Sequence, residues 1–194
     1  MEIGATKAVQ DRLKTTKIEE SKSASLVFCW DTHLTKIKGR NVLFIVNASN
    51  RYTIAMTDIE PRNWNYYTIY IGRVIHGVMQ KMGYSEEQIA QYFKMSGDMI
   101  VTKTHGKKSV GGINRMVTDA QYFDKKLEKD TKYQWELSEY LNRDICQPEG
   151  FDAYGYPSEL FKLDMERLGI IPKRKPAKII DFTKYIDTNR SSNH

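Results

Sequence analysis

The chain has 194 residues, of which 40% are hydrophobic, a length that suits one domain with an appendage rather than two full domains. Thirty Lys and Arg residues against 24 Asp and Glu residues give a net charge of +6, which favours a polyanionic or acidic partner. No apolar run of about 18 residues and no apolar segment after the first charges is present, so we expect a cytoplasmic protein with no signal peptide and no membrane partner.

The cysteines and histidines do not form a recognisable ligand pattern. Cys29 and Cys146 lie far apart, and the histidines at 33, 76, 105 and 194 have no partner four residues away. We therefore expect reduced structural thiols, no metal site and no cofactor.

The N-terminal residues predict a strand followed by a short helix. Residues 2–6 favour an extended segment, and Thr6 is placed to cap a helix through Leu13 by accepting from a backbone N–H. The polar residues 14–25 show no periodicity and predict a loop.

Three segments rich in β-branched and aromatic residues follow, at 26–37, 41–48 and 51–57. Short turn sequences join them, which predicts three consecutive antiparallel strands. The VLFIV sequence of the middle segment is apolar on both faces, so we expect this strand to be central and covered on each side.

Helices dominate the next part of the chain. Apolar residues recur with a 3.6-residue period over 67–82, and Ser85 begins a capping-box-like start for a second helix to about Met95. A fourth strand is predicted at 98–104. A third long helix is predicted from Val110 to about Glu128, after a Gly- and Lys-rich turn.

These elements predict an α+β fold in which a small, mostly antiparallel sheet of about four to five strands packs with three helices. We place the core domain at residues 1–129 and a C-terminal helical and irregular extension at 130–194, packing partly on the core. The extension contains an amphipathic segment at 132–142 and a helix candidate at 158–168. A basic tail begins at about residue 170, with Lys173, Arg174, Lys175 and Lys178 among prolines.

The segments RNVLFIVNASNRYTIAM and IVTKTHGKKSVGGINRM resemble a family of uncharacterised bacterial, plasmid and phage proteins classed as a domain of unknown function. The resemblance extends over about residues 1–129 and implies a fold and boundaries rather than an activity. The residues that carry it are Thr6, Lys7, Trp30, Arg40, Asn47, Thr102, Lys103, Thr104, Gly111 and Asn114.

Two departures from the family pattern R-S-V-L-G-S-M-N-D matter in the segment KKSVGGINR at 107–115. Lys108 stands where the family has Ser, and Arg115 stands where it has Asp. These departures make the segment more positive and weigh against an acidic catalytic role at position 115.

The densest polar segment is TKTHGKKSVGGINR, in which a strand leads through a turn into a helix. A helix N-terminus offers unpaired N–H groups and partial positive charge, so this segment could hold an anion or contact nucleic acid. Solvated lysines beside a tight glycine turn are the simpler alternative. The candidate binding residues are Lys103, Thr104, His105, Lys107, Lys108, Asn114, Arg115 and, from the strand region, Arg40.

Three functions remain open at this point. The first is a non-enzymatic, mobile-element-type binding or regulatory protein that acts on nucleic acid or on a nucleic-acid-handling complex. The second is a small metal-independent nuclease or toxin-like enzyme that uses His105 as acid or base, with His33 as a conceivable partner. The third is a protein-interaction module that inhibits a host defence system and docks through residues 148–157 and the tail.

Overall fold

The computed structural model describes residues 1–14, 18–22 and 25–173. The predicted basic tail therefore lies outside the described residues from Arg174 onwards. In chain order the elements are β1 (Glu2–Ala5), α1 (Lys7–Leu13), a short 3-10 turn (Leu26–Phe28), β2 (Cys29–Ile37), β3 (Arg40–Asn47), β4 (Thr53–Thr57), α2 (Pro61–Asn65), α3 (Tyr67–Lys81), α4 (Glu86–Ser96), β5 (Ile100–Thr102), α5 (Gly106–Gln121), α6 (Trp135–Asn142) and α7 (Pro157–Arg167).

The strands form one sheet in the order β4-β3-β2-β1-β5. The three predicted strands β2, β3 and β4 are antiparallel neighbours, whereas β1 pairs in parallel with both β2 and β5. The α+β prediction is confirmed. The described residues contain seven α-helices, which is more than the three that the sequence predicted for the core. No helix within those residues has both the length and the apolar character needed to cross a bilayer.

The central position predicted for the VLFIV strand is confirmed. Leu43 and Ile45 on one face of β3 belong to a large hydrophobic cluster that includes residues of α3, α4 and α7. Val42 and Phe44 on the other face pack in a second cluster with residues of α5 and α6. A strand covered on both faces must be apolar at successive positions, as this one is.

Helix α5 differs from the prediction at both ends. It begins at Gly106 rather than Val110 and ends at Gln121 rather than near Glu128. The segment predicted as a turn is therefore helical from Gly106 on. Within this segment only Gly106 has a positive φ. Gly112 lies inside the helix, beside the Arg51 side chain. The Thr6 cap was also wrong in detail, since its hydroxyl donates to the Thr32 carbonyl instead of accepting.

Both edges of the sheet are covered. At the β4 edge, the Asn142 side chain pairs with both backbone groups of Thr53, at 2.8 Å to its N–H and 2.7 Å to its C=O. Ser138 Oγ accepts from the Ala55 N–H at 3.0 Å. Helix α6 thus supplies side chains where a further strand would supply backbone, which removes an exposed edge that favours aggregation. At the β5 edge, the Lys103 N–H donates to the Glu19 carbonyl.

The described part of the extension contributes to the core. Phe161 and Met165 of α7 are fully buried in the same cluster as Trp30, and Leu137 of α6 is buried in the second cluster. Residues of α6 and α7 thus pack against the sheet, while the division into a core and an extension at Lys129 stays a prediction.

Replacing Asn142 by Ala tests whether α6 satisfies the sheet edge. The substitution leaves the buried N–H and C=O of Thr53 without partners, so we expect the free energy of unfolding to fall by about 2–4 kcal/mol in urea titrations. The control is Glu139→Ala, which removes an exposed pair with Arg143 on the same helix and should cost less than about 1 kcal/mol. Equal losses in the two variants would contradict this role for Asn142.

Candidate functional site

His105 lies between β5 and α5 and is enclosed by two carboxylates from neighbouring strands. Its Nδ1 is 2.7 Å from Asp31 Oδ1 of β2, and its Nε2 is 3.1 Å from Glu2 Oε2 of β1. The side chains of His105, Asp31 and Glu2 are 1%, 0% and 9% exposed. Both ring nitrogens are therefore engaged within the protein.

Asp31 also holds the start of α5. Its carboxylate accepts from the backbone N–H of His105 at 3.2 and 3.3 Å and from the hydroxyl of Ser109 in the first turn. An anion at this place is favoured by the unpaired N–H groups and dipole of the helix. The position that the sequence suggested for a bound anion is thus taken by the protein's own carboxylate.

Gly4 makes this close arrangement possible. In the sheet it pairs with Asp31 on one side and Thr102 on the other. A Cβ at this position would lie 1.9 Å from Asp31 Oδ1 and 3.0 Å from His105 Nδ1. Only glycine leaves room for the carboxylate and the imidazole above β1.

The buried contacts determine the charge of the cluster. Burial by itself lowers the pKa of His105, but hydrogen bonds and charge interactions with Asp31 and Cys29 outweigh it and raise the pKa from 6.5 to about 10. Burial raises the pKa of Glu2, and hydrogen bonds from its neighbours outweigh that effect and hold the pKa below its ordinary 4.5. His105 is accordingly an imidazolium at neutral pH, paired with carboxylates.

The structure separates the predicted binding residues into three groups. His105 is buried, and Thr104 beside it is partly exposed. Arg40 begins β3 and pairs with Ile37, which lies six residues, or about 20 Å, along β2 from Asp31. There it donates to the Glu128 carbonyl and forms an ion pair with Asp58. The remaining residues, Lys103, Lys107, Lys108, Asn114 and Arg115, are exposed on α5 or just before it.

The sequence reasoning missed Glu2, Cys29 and Asp31. Their donor atoms come together only because β1 and β2 pair in register, with Glu2 beside Cys29 and Gly4 beside Asp31. One sequence feature could have indicated two of them: in β2, Cys29, Asp31 and His33 occupy alternate positions and so lie on one face of the strand. The suggested partner His33 does not reach His105; its Nδ1 lies 3.2 Å from Thr6 Oγ1.

The sequence spacing indicated no metal ligand set, but the fold brings three possible donor residues together. One donor atom each of Glu2, Cys29 and His105 lie within 4.8 Å of one another, and all three residues are buried. Carboxylate, thiolate and imidazole groups are all ligands of divalent transition metals.

A large cleft in the described part of the chain lies elsewhere. It has a volume of about 930 Å³ between α3, α6 and α7, and its walls include Lys81, Trp135, Arg143 and Lys162. None of the predicted binding residues lines it.

A protein-family model described as a domain of unknown function, DUF6933, matches residues 2–160. The chain belongs to this family. The DUF6933 match continues past residue 129, where the sequence resemblance was expected to end, and reaches into α7. No curated protein and no solved structure matches the chain.

Gly4→Ala and Gly111→Ala form a matched pair of substitutions in this DUF6933 chain. The methyl group at position 4 overlaps Asp31 and disrupts a buried charged contact, so we expect a loss of more than about 3 kcal/mol of unfolding free energy. Gly111 faces open space within α5, so alanine there should stabilise the protein by up to about 1 kcal/mol. Calorimetry or urea unfolding measures both, and a well-tolerated Gly4→Ala would contradict the close approach.

The stability of the protein should fall at alkaline pH through His105. Because its pKa is raised in the folded state, its contribution is fully present below pH 6.5 and is lost as the pH rises towards 10. With a chelator present, we expect the free energy of unfolding of the wild type to fall across this interval by up to about 1.4 kcal/mol per pH unit more than that of His105→Gln. His76→Gln, at an exposed histidine, is the control. Parallel pH profiles of wild type and His105→Gln would contradict the assignment.

Proposed function

We propose that the chain is a non-enzymatic, mobile-element-type binding or regulatory protein that contacts nucleic acid through the outer face of α5. The observation that carries the proposal is an exposed basic strip on this helix, whose residues are not accounted for by contacts within the described part of the protein. We define the α5 strip as Lys107, Lys108, Gly111, Asn114 and Arg115, all of which are exposed.

The spacing of these residues supports a single contact surface. Lys107, Gly111 and Asn114 are separated by four and three residues, and Lys108 and Arg115 by seven, so each set follows one side of the helix. Helix α5 has 16 residues and packs on the sheet through Ile113, Met116 and Ala120. The strip is thus held on a rigid element with its polar side outward.

The charges of the strip are largely available to a partner. Within the described residues, neither Lys107 nor Lys108 forms an ion pair, and Lys108 Nζ donates only to the Pro148 carbonyl at 3.3 Å. Arg115 is 63% exposed and lies 3.7 Å from Asp144 and 3.9 Å from Asp119. Exposed cations of this kind neutralise phosphates and release counterions.

Gly111 adds a second reason. Glycine inside a helix costs about 1 kcal/mol relative to alanine, and a Cβ at Gly111 would meet nothing within 4 Å. Packing within the fold therefore does not account for it. A side-chain-free position between cations suits the close approach of a phosphate backbone.

The surroundings of His105 favour binding over cleavage. A general acid or base must reach the substrate proton, yet both nitrogens of His105 contact buried carboxylates and its side chain is 1% exposed. A nuclease built on this residue would need the cluster to open.

Protein docking is a second candidate, favoured by exposed aromatic residues. Tyr154 and Tyr156 are 70% and 45% exposed in the segment that follows α6. This segment lies against α5, because Lys108 contacts Pro148 and Arg115 faces Asp144. Large exposed aromatic side chains are frequent in protein interfaces.

Removal of both lysines of the strip tests the proposal. We expect Lys107→Ala/Lys108→Ala to weaken binding to single-stranded DNA, double-stranded DNA or RNA by about tenfold at moderate salt. The slope of log affinity against log salt should decrease by about 2, because each lysine that is removed leaves one phosphate without its neutralising cation. Fluorescence anisotropy with each probe over a salt series measures both quantities.

The control is Arg73→Ala/Lys94→Ala, which removes the same charge from exposed positions on α3 and α4. It should change affinity by less than about twofold. The absence of salt-sensitive binding to all three probes, or equal losses in the two double variants, would overturn the proposal. If Tyr154→Ala/Tyr156→Ala weakens binding and the lysine double variant does not, the interface lies on the aromatic segment instead of the α5 strip.

A further inference from the structure

The cluster around His105 brings several ionisable groups together in a buried place. Glu2 and Asp31 contribute two carboxylates, and His105 contributes at most one positive charge, all of them 9% exposed or less. The Met1 ammonium group donates to the Asp98 carbonyl at 2.8 Å and also interacts electrostatically with Glu2 and Cys29. The ammonium group of Lys22 is exposed and pairs with Glu19. Buried ionised groups are unfavourable unless they are paired or coordinate a metal ion.

Cys29 completes a set of three different donors. It lies beside Glu2 in the paired strands, is fully buried, and its thiol donates to the Ser25 carbonyl at 3.4 Å. Single donor atoms of Glu2, Cys29 and His105 are all within 4.8 Å of one another, with Glu2 Oε2 and His105 Nε2 at 3.1 Å. Ligand atoms of a tetrahedral zinc site are separated by about 3.3–3.8 Å, so small side-chain adjustments bring all three into range.

Asp31 occupies the supporting position of such a site. Its carboxylate is 2.7 Å from His105 Nδ1, which leaves Nε2 directed towards Glu2. Histidine ligands of metals commonly donate their other ring N–H to a carboxylate, which orients the ring and increases its basicity. Two further hydrogen bonds, from the His105 backbone and from Ser109 of α5, hold this carboxylate in place.

We propose that Glu2, Cys29 and His105 bind one Zn²⁺ ion, with Asp31 as the positioning residue of His105. The mixed carboxylate, thiolate and imidazole set suits zinc, and the three protein ligands leave one tetrahedral position for water. On binding, the ion replaces the proton shared between His105 Nε2 and Glu2 and the proton of the Cys29 thiol, which both pass to solvent.

The ion would join three elements that are distant in sequence. Glu2 is in β1, Cys29 begins β2, and His105 immediately precedes α5. A surface groove of about 420 Å³ is lined by Glu2, Lys22 and Ser25. Metal binding is measured by absorption without any nucleic acid present, so its failure and the failure of the proposed nucleic-acid binding are distinguishable.

Cobalt is the probe for this site, because tetrahedral Co²⁺ with a thiolate ligand gives a near-ultraviolet charge-transfer band and strong visible absorption. The full chain is purified in reduced form with a removable C-terminal tag, because the Met1 ammonium group donates to the Asp98 carbonyl. We expect one equivalent of Co²⁺ to produce both signals and one equivalent of Zn²⁺ to abolish them. Zn²⁺ should also raise the thermal unfolding midpoint.

Cys29→Ser and Cys146→Ser are matched variants, since both cysteines are buried and free. Cys29→Ser should lose the charge-transfer band and bind at least about tenfold more weakly, whereas Cys146→Ser should match wild type. Asp31→Asn should keep the band with about 10–100-fold weaker binding, and Glu2→Gln should alter the visible absorption. The proposal is overturned if wild type gives no stoichiometric band, or if the band survives in Cys29→Ser.

Discussion

The contact between Asp31 and His105 is the interaction on which the arrangement of this protein most depends. It joins the first residues of β2 to the first residue before α5, 74 positions later in the chain. The same carboxylate accepts from the backbone and from Ser109, so it determines where α5 starts and how it meets the sheet. Gly4 permits the contact, because any side chain there would occupy the space of the carboxylate.

This contact changes what α5 can offer to a ligand. A free helix N-terminus attracts phosphate, but here its N–H groups and partial positive charge already face Asp31. The polar surface that remains is the outer side of the helix, with Lys107 and Lys108 exposed beside Gly111. The buried inner cluster and the exposed strip therefore have different chemistry, the first suited to a cation and the second to an anion.

Helix α6 shows how the C-terminal part of the chain completes the fold. Its side chains satisfy the backbone groups of β4 that a neighbouring strand would otherwise pair, through Asn142 and Ser138. Helix α7 buries Phe161 against Trp30 and Tyr52, at centroid distances of 6.0 and 5.3 Å. The family match to residue 160 includes all of α6 and the start of α7, consistent with a unit that needs these segments.

Local patterns alone predicted the α+β class, the three antiparallel strands, the covered central strand and the capped start of α4 at Ser85. Each of these depends on neighbouring residues: a period of two or 3.6, a turn sequence, or a capping box that the structure contains. The start of α5 was misplaced because the glycine pair at 111 and 112 resembles a turn, while long-range contacts to Asp31 decide where the helix begins.

The tertiary structure decided the site itself. Residues 2, 29, 31 and 105 have no sequence spacing that links them, and only parallel pairing of β1 with β2 and β5 places their side chains on one face. Arg40 was grouped with the basic segment by charge, yet strand length puts it at the other end of the sheet. The sequence by itself thus determined the elements and the overall basic charge, whereas the strand register determined which polar groups meet, because register is a property of distant segments.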